Sequence, residues 1–304
     1  MLIDTHAHLN FKVYKNRVDQ VLARAQAAGV GQSLVVGSHL KNSRLAIKLA
    51  QTHDGVWAAV GIHPHHSLEY LLKAQQQSKM TGESMTELLE LILDQVNDEL
   101  EESVVQEKVV AIGEVGLDLF EYQQTQYQES VDLAVFLVWQ RAFLRRQLQL
   151  AAANNKAIIL HNHQATDQLL EFFADQSDLI LPQKMVLHCC EPDQRLFQFA
   201  KDHQLFIGVD GDVTYDQVKQ DFIKQVPLEM LVLETDCPFM TPEPDRSEFR
   251  AKKDQLKYFE RVCEPRHVAY IAQKIAELKA VSFDQVAEQT TANAVQLFGL
   301  PSKT

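Results

Sequence analysis

The chain has 304 residues, 46% of them hydrophobic and 23% charged, with 29 Lys and Arg against 41 Asp and Glu and a net charge of −12. That balance is the one of a soluble globular protein; it excludes collagen-like and disordered chains, and the sign of the charge excludes a broad basic coat for duplex nucleic acid. A nucleic-acid enzyme stays open, because a bound divalent cation supplies positive charge locally. No apolar run approaches the roughly 20 residues of a membrane-spanning helix, and no basic stretch followed by an apolar one opens the chain as a secretory signal does. Cys189, Cys190, Cys237 and Cys263 lack C-x-x-C spacing. They read as reduced thiols of a cytoplasmic protein without an obligate protein partner.

Short apolar runs alternate with longer amphipathic stretches along the whole sequence. The pattern predicts a strand at Leu2–Thr5, a helix over Val13–Ala28 that stops at Gly29, and a strand at Ser33–Val36. A helix near Ser43–Thr52 and a strand at Val56–Val60 follow. His66–Lys108 is long and polar and predicts an elaborated loop followed by an acidic helix over Met85–Glu102. Next come a strand at Val109–Ile112, a Gln-dense helix over about Tyr122–Asn154, a strand at Ala157–Leu160 and a helix at Asp167–Ala174. The later elements are a strand at Lys184–Leu187, a helix through Lys201, a strand at Leu205–Val209, a helix from Thr214 and a strand at Leu231–Glu234. Thr241–Lys257 reads as an exposed loop. Two tail helices are predicted, one over His267–Leu278 and one from Ser282 to Phe298, the second opened by the capping pair Ser282 and Gln285.

Eight strands separated by helices are the count of a (β/α)8 TIM barrel, here one domain of residues 1–304 with two extra C-terminal helices. The strand runs are apolar without clean alternation, as strands covered on both faces should be. Ligand-type side chains recur where these strands end. His6 and His8 follow the first strand, and alternate residues of an extended segment face the same way. Glu114 follows the fourth, His161 the fifth and His188 the sixth; Glu234 and Asp236 follow the eighth. Barrel enzymes build their sites on that face. Four His with Glu114 and Asp236 exceed what one tetrahedral ion needs, whereas two ions about 3.5–4 Å apart, sharing a carboxylate, would use all six. Imidazole and carboxylate without sulfur suit Zn, Mn, Fe, Co or Ni, and Mg could serve in an assay. Glu234, two residues from Asp236, is expected behind the ligands, and Asp118 is expected to orient its own loop.

The motifs Ile3-Asp4-Thr5-His6-Ala7-His8-Leu9, Val60-Gly61-Ile62-His63-Pro64-His65, Ala111-Ile112-Gly113-Glu114-Val115-Gly116-Leu117-Asp118, Ile159-Leu160-His161, Leu187-His188 and Leu233-Glu234-Thr235-Asp236-Cys237-Pro238 resemble those of the TatD-type metal-dependent deoxyribonucleases, within the amidohydrolase-like barrel superfamily. Thr290-Thr291-Ala292-Asn293-Ala294 and Leu297-Phe298-Gly299 in the tail fit as well. The resemblance implies that His6, His8, Glu114 and Asp236 hold one divalent ion and that Glu114, His161 and His188 hold a second, with Glu114 bridging. It implies that Asp236 also takes the proton of the attacking water and that His63 contacts a phosphate or leaving oxygen. The absence of a lysine at the end of the fourth strand separates the chain from relatives that bridge their metals with a carboxylated lysine. The implied activity is 3′-5′ exonuclease action on single-stranded DNA.

Three positions depart from that family's usual pattern. His163 and Gln164 stand where an Arg and an acidic residue are common after the strand-five His. Cys189-Cys190-Glu191 stands for Phe-Ser-Gly after His188, and Cys263 for an Asn. Loss of the Arg removes a charge-assisted phosphate contact. His163, His65 and His66 remain candidates to touch substrate. Two other readings stand beside the nuclease: hydrolysis of an ester or amide, such as an aminoacyl ester on tRNA, by the same metal pair, and a non-catalytic metal-binding protein.

Overall fold

Apolar runs that are buried on both faces and joined by helices must pair in parallel, because each return needs a crossover. In the computed structural model, which describes residues 1–120 and 131–301, eight strands do so in chain order: β1 (Leu2–Ala7), β2 (Val30–Val36), β3 (Val56–Val60), β4 (Val109–Asp118), β5 (Ala157–His163), β6 (Met185–Leu187), β7 (Phe206–Val209) and β8 (Leu231–Leu233). The ring is closed between its last and first strands. Ala7 bridges Cys237 in parallel, the His8 amide donates to the Cys237 carbonyl at 2.8 Å, and the Asp236 amide donates to the His6 carbonyl at 2.9 Å. Below that seam the Asp4 carboxylate accepts from the Thr235 hydroxyl and amide at 2.7 and 2.9 Å. The closure therefore fixes His6 and His8 beside Asp236.

The barrel interior is filled from every strand by Ile3, Leu34, Val36, Ala59, Ala111, Ile159, Val186, Phe206 and Val232. Leu297 and Phe298 of the last helix pack with this set, while Asn293 donates to the carbonyls of Leu228 and Leu231 where β8 begins. The tail thus plugs the N-terminal end, and the mouth at the strand C-termini is left for the site. A larger apolar layer joins the outer strand faces to the surrounding helices.

Between strands run α1 (Val18–Ala27), α2 (Leu40–Thr52), α3 (Pro64–Thr81), α4 (Met85–Val104), α5 (Leu133–Ala153), α6 (Thr166–Asp175), α7 (Gln194–Asp202) and α8 (Gln217–Gln225); α9 (Asp245–Ala251), α10 (Val268–Lys279) and α11 (Phe283–Phe298) follow β8. Several of these correct the sequence reading. The helix expected from Val13 is a 3₁₀ turn, Lys12–Tyr14, and then α1, because Asn16 adopts a left-handed φ of 64° that no helix propagates through. The expected loop after His66 is α3: Pro64 opens it, Leu68, Leu71 and Ala74 line its buried face, and Gly82 ends it at φ 80°. The helix expected from Thr214 begins at Gln217 under an Asp216 cap. The loop over Thr241–Lys257 contains the short helix α9, so a helix precedes the two tail helices after β8. Residues 121–130 of the expected Gln-dense helix lie outside the described residues.

The most consequential difference is β4. It was expected to end at Ile112 and runs to Asp118, paired with β5 as far as His163 across a register shift between Ile112 and Val115. A bulge of this kind re-aims a side chain. Gly116 makes the close pairing possible: a Cβ there would stand 1.9 Å from the His161 carbonyl oxygen.

Candidate metal centre

The ends of β1, β4, β5, β6 and β8 deliver side chains to one mouth, around the buried carboxylate of Glu114. Glu114, 4% exposed, sits on the β4 bulge with its two oxygens turned to different partners. Oε2 lies 3.6 Å from His6 Nε2 and 3.9 Å from His8 Nε2. Asp236 Oδ1 completes that group at 3.7 Å from His6 Nε2 and 3.3 Å from His8 Nε2, and the two imidazole nitrogens are 3.2 Å apart. Oε1 faces the other way, 2.6 Å from His161 Nδ1, 3.5 Å from His188 Nε2 and 3.7 Å from His63 Nε2. The structure therefore brings together all six residues singled out at the strand ends, together with His63.

The donor atoms fit divalent ions. Bonds of 2.0–2.2 Å in a tetrahedral shell place neighbouring donors about 3.4 Å apart, which is the spacing of the group formed by His6, His8, Glu114 and Asp236. His8 Nδ1 lies 3.2 Å from the Val36 carbonyl, an orientation that leaves its Nε2 lone pair facing the group. His6 is fully buried with Nδ1 unpartnered among the described residues, and burial first, then His188, push its pKa well below the ordinary value, so the ring is neutral. A neutral imidazole buried against two carboxylates is a ligand in waiting.

The second group is balanced differently. Burial opposes the charge of Glu114, yet the neighbouring His188 and His161 hold its carboxyl well below the usual range. Burial also works against a proton on His161, but Glu114 and Asp118 outweigh it and bring the group up to about 10. His188 rises to about 9 against its burial, through Glu234 and then Glu114. These two protons supply the positive charge that an ion would bring, and an ion would displace them.

Outer partners hold the rings. Glu234, 1% exposed, places Oε2 3.1 Å from His188 Nδ1 and accepts from the Cys189 amide at 2.5 Å through Oε1. It lies over Gly208, where a Cβ would come within 2.3 Å of Oε1. It thus lies behind His188 rather than in either donor group. Asp118 differs from expectation: its Oδ2 accepts from His161 Nε2 at 3.0 Å and lies 3.8 Å from His163 Nδ1, so it orients a ring of the site. His63 caps α3, its Nδ1 accepting from the His65 amide at 3.0 Å. Burial lowers it to about 3, so it is neutral with its proton on Nε2, a donor pointing into the mouth.

The mouth is a cavity of 640 Å³ that also reaches His65, His163 and Phe239. His163 stacks on Phe120 with centroids 4.3 Å apart. Glu191 accepts from Asn162 Nδ2 at 2.8 Å and from the Gln164 amide at 3.0 Å, which ties two of the departures from the family pattern to each other. The sequence reading missed one cluster on this wall. Lys219 of α8, 1% exposed, donates to the Cys190 carbonyl at 2.7 Å and lies 3.3 Å from Asp212 Oδ2. Asp210 beside it is buried, which opposes its charge, but Lys219 draws its carboxyl down to about 2. Asp210 follows the seventh strand, so the strand-end rule that singled out the candidate ligands reaches it too. Lys219 sits on a helix and carries no such signal.

Comparison with known proteins finds relatives over nearly the whole chain. The family model described as TatD related DNase matches residues 3–299. The chain is 31% identical over 300 residues to an uncharacterized metal-dependent hydrolase, YabD, of Bacillus subtilis, covering 98% of this chain and 99% of that one. It is 28% identical over 302 residues to the 3′-5′ ssDNA/RNA exonuclease TatD of Escherichia coli, covering 98% and 99%. Among solved structures, YjjV, a TatD homolog from Escherichia coli, superposes with a TM-score of 0.75 at 26% identity over 99% of this chain and 98% of that one. An organophosphorus hydrolase from Deinococcus radiodurans, at 13% identity, a TM-score of 0.60 and 98% and 92% coverage, shares the fold. The chain belongs to the family of TatD-related DNases.

Proposed function

We propose that residues 1–304 form one catalytic domain that hydrolyses phosphodiesters with a pair of divalent ions, removing nucleotides from the 3′ end of single-stranded DNA or RNA. The observation that carries this is Glu114, whose two oxygens face two separate donor groups. His6, His8, Glu114 and Asp236 would hold one ion, and Glu114, His161 and His188 the other. Bound there, the ions would bring the pKa of a water toward roughly 7 and offset charge on the scissile phosphate. Asp236, 18% exposed at its side chain, is the carboxylate of this group most open to the mouth, and it takes the proton of the attacking water. His63 donates from Nε2 to a phosphate or leaving oxygen. Zn, Mn, Mg, Fe, Co or Ni each fit the donor types. The free thiols of all four cysteines support a reducing, cytoplasmic setting, and no described helix is long and apolar enough to cross a membrane.

A second reading, hydrolysis of an aminoacyl ester, draws on the cavity wall. Among the described residues no arginine lines the mouth, whereas Glu191, Asp210 and Asp212 do. The test is a paired assay of the metal-loaded protein on 5′-labelled single-stranded DNA and on aminoacyl-tRNA. Stepwise loss of 3′ nucleotides, abolished by chelation, is the expected result. Deacylation without nucleotide release overturns the nuclease reading.

A further inference from the structure

Phe11 and Phe239 line the catalytic mouth and also a second, larger hollow of 930 Å³ beside it. The Phe11 ring stacks on His8 with centroids 4.5 Å apart and meets Phe239 edge-on at 6.2 Å. The two hollows are therefore neighbours across a pair of aromatic rings that begins on a residue of the metal group.

The character of the surface changes across those rings. The mouth is lined by carboxylates. The hollow beyond is lined by Lys12, Lys15, Lys41 and Lys48, and by no acidic residue among those described. All four lysines are exposed, in a chain whose net charge is −12. Lys41, Leu45 and Lys48 stand on one face of α2, the two lysines two turns and about 10 Å apart. Apolar rings lie open to solvent on the same hollow: Phe239 is 50% exposed and Tyr258 61%. Lysines flanking exposed aromatic rings are the two components by which proteins hold single strands, cations for phosphates and rings for bases.

We propose that this hollow is the track for the single strand, holding the nucleotides on the 5′ side of the one being removed, with bases against Phe11, Phe239 and Tyr258 and phosphates along Lys12, Lys15, Lys41 and Lys48. The proposal rests on the nuclease reading above for its direction. It accounts for how an acidic protein without an arginine in its mouth meets a polyanion: the charge is concentrated beside the mouth.

The test is equilibrium binding of a fluorescent, phosphorothioate-linked strand of ten thymidines to the metal-loaded protein, read by anisotropy between 50 and 200 mM salt, alongside cleavage of the ordinary strand. K41A/K48A is expected to weaken binding at 50 mM salt at least ten-fold. It should also flatten the slope of log Kd against log salt by about 1.4, the worth of two phosphate contacts on a single strand. Tyr258→Ala is expected to weaken binding about five-fold or more while leaving the slope in place. K12A/K15A, on the segment after β1, repeats the charge test on a different element, and melting curves separate lost binding from lost fold. Unchanged Kd and slope in both lysine pairs overturn the track. If the strand is cleaved while these variants bind it as the unmodified protein does, the track falls and the nuclease reading stands. If the strand binds and the variants lose it, yet no nucleotide is released, the track stands and the nuclease reading falls. A shift from dimer to monomer in Tyr258→Ala, with strand binding unchanged, assigns the hollow to a second copy of the chain and overturns the proposal.

Discussion

Replacing Glu114 by Gln keeps the shape of the side chain and removes one charge from the centre of the site. The consequences differ with and without ions, and both can be worked from the geometry. Stripped of metal, the protein holds Glu114 against the imidazolium of His161 at 2.6 Å, with Glu114 4% exposed. Breaking such a buried pair from one side costs about 3–5 kcal/mol, because the other charge stays buried. Unfolding a chain of this length carries an entropy of about 0.6 kcal/mol/K, so the melting temperature should fall by about 5–8 °C. The sign of the pH dependence follows from the two shifts. Glu114 lies below its ordinary 4.5, so its contribution is present above that pH and lost on acidification. His161 lies up near 10, so its contribution is complete below its ordinary 6.5 and lost as pH rises through 10. The deficit of Glu114→Gln should therefore be largest between pH 5 and 6.5 and shrink towards pH 10. In the metal-loaded protein the same change removes the one anion shared by both donor groups. Elemental analysis after desalting should show at least one equivalent lost, with turnover down more than 100-fold. A variant that keeps both equivalents, or whose metal-stripped form melts with the unmodified protein at pH 6, refutes the bridging role.

Asp236→Asn, shown to be folded and metal-loaded, should lose about 10²–10⁴ in kcat, the usual worth of a general base; turnover within a few-fold of the unmodified protein would assign the proton transfer elsewhere, with His63 the next candidate. Lys219→Met should lower stability by about 3–5 kcal/mol, since it strands the Asp210 carboxylate in a buried wall, and Asp210→Asn in the same chain should recover part of the loss in a urea titration. Gly116→Ala pushes a Cβ against the His161 carbonyl and should cost about 1–3 kcal/mol, while metal titration shows weaker binding to the group that includes His161; unaltered affinity would mean that β5 absorbs the clash without moving its ring.

The ligand-type residues were legible because a barrel turns a one-dimensional fact into a three-dimensional one. An apolar run ends, a polar residue follows, and the closed sheet gathers all such ends at one mouth. His6, His8, His161, His188 and Asp236 needed only approximate strand ends, since β1 and β5 run two and three residues further than expected, to Ala7 and His163. Glu114 was found although its strand was cut short, because it follows the apolar run of β4 directly. Asp118 shows where that logic fails. The run stops at Gly113, so the strand was expected to stop there, yet the backbone continues to Asp118 across a bulge, with Gly116 admitting the His161 backbone. The far half of β4 alternates: Val115 and Leu117 join the apolar layer while Glu114 faces the imidazoles of the site, and Gly113 and Gly116 interrupt the apolar run that marks a strand. Apolar patterning is silent as well about Lys219, whose partners are a carbonyl and two carboxylates from other elements, and about α3, whose glutamines face solvent and hide a three-residue apolar stripe.

The replaced family positions take on a meaning in the structure that the sequence alone does not carry. Glu191 is bound to Asn162 and to the Gln164 amide, which ties the end of β5 to the loop after β6, while His163, where an arginine is common, stacks on Phe120. Lys219 pulls on the next carbonyl, at Cys190, from below. Both devices spend charge on holding the loop that carries His188 and leave none for substrate. On the proposed reading, a phosphodiester chain entering this mouth would meet cations in two places: at ions bound around Glu114, and beyond Phe11 and Phe239, where the lysines of α2 and of the segment after β1 have no acidic neighbour along the hollow among the described residues. An aminoacyl ester needs only the first. The length of strand required for full affinity therefore separates the two substrates on physical grounds, since only a polyanion gains by reaching the second.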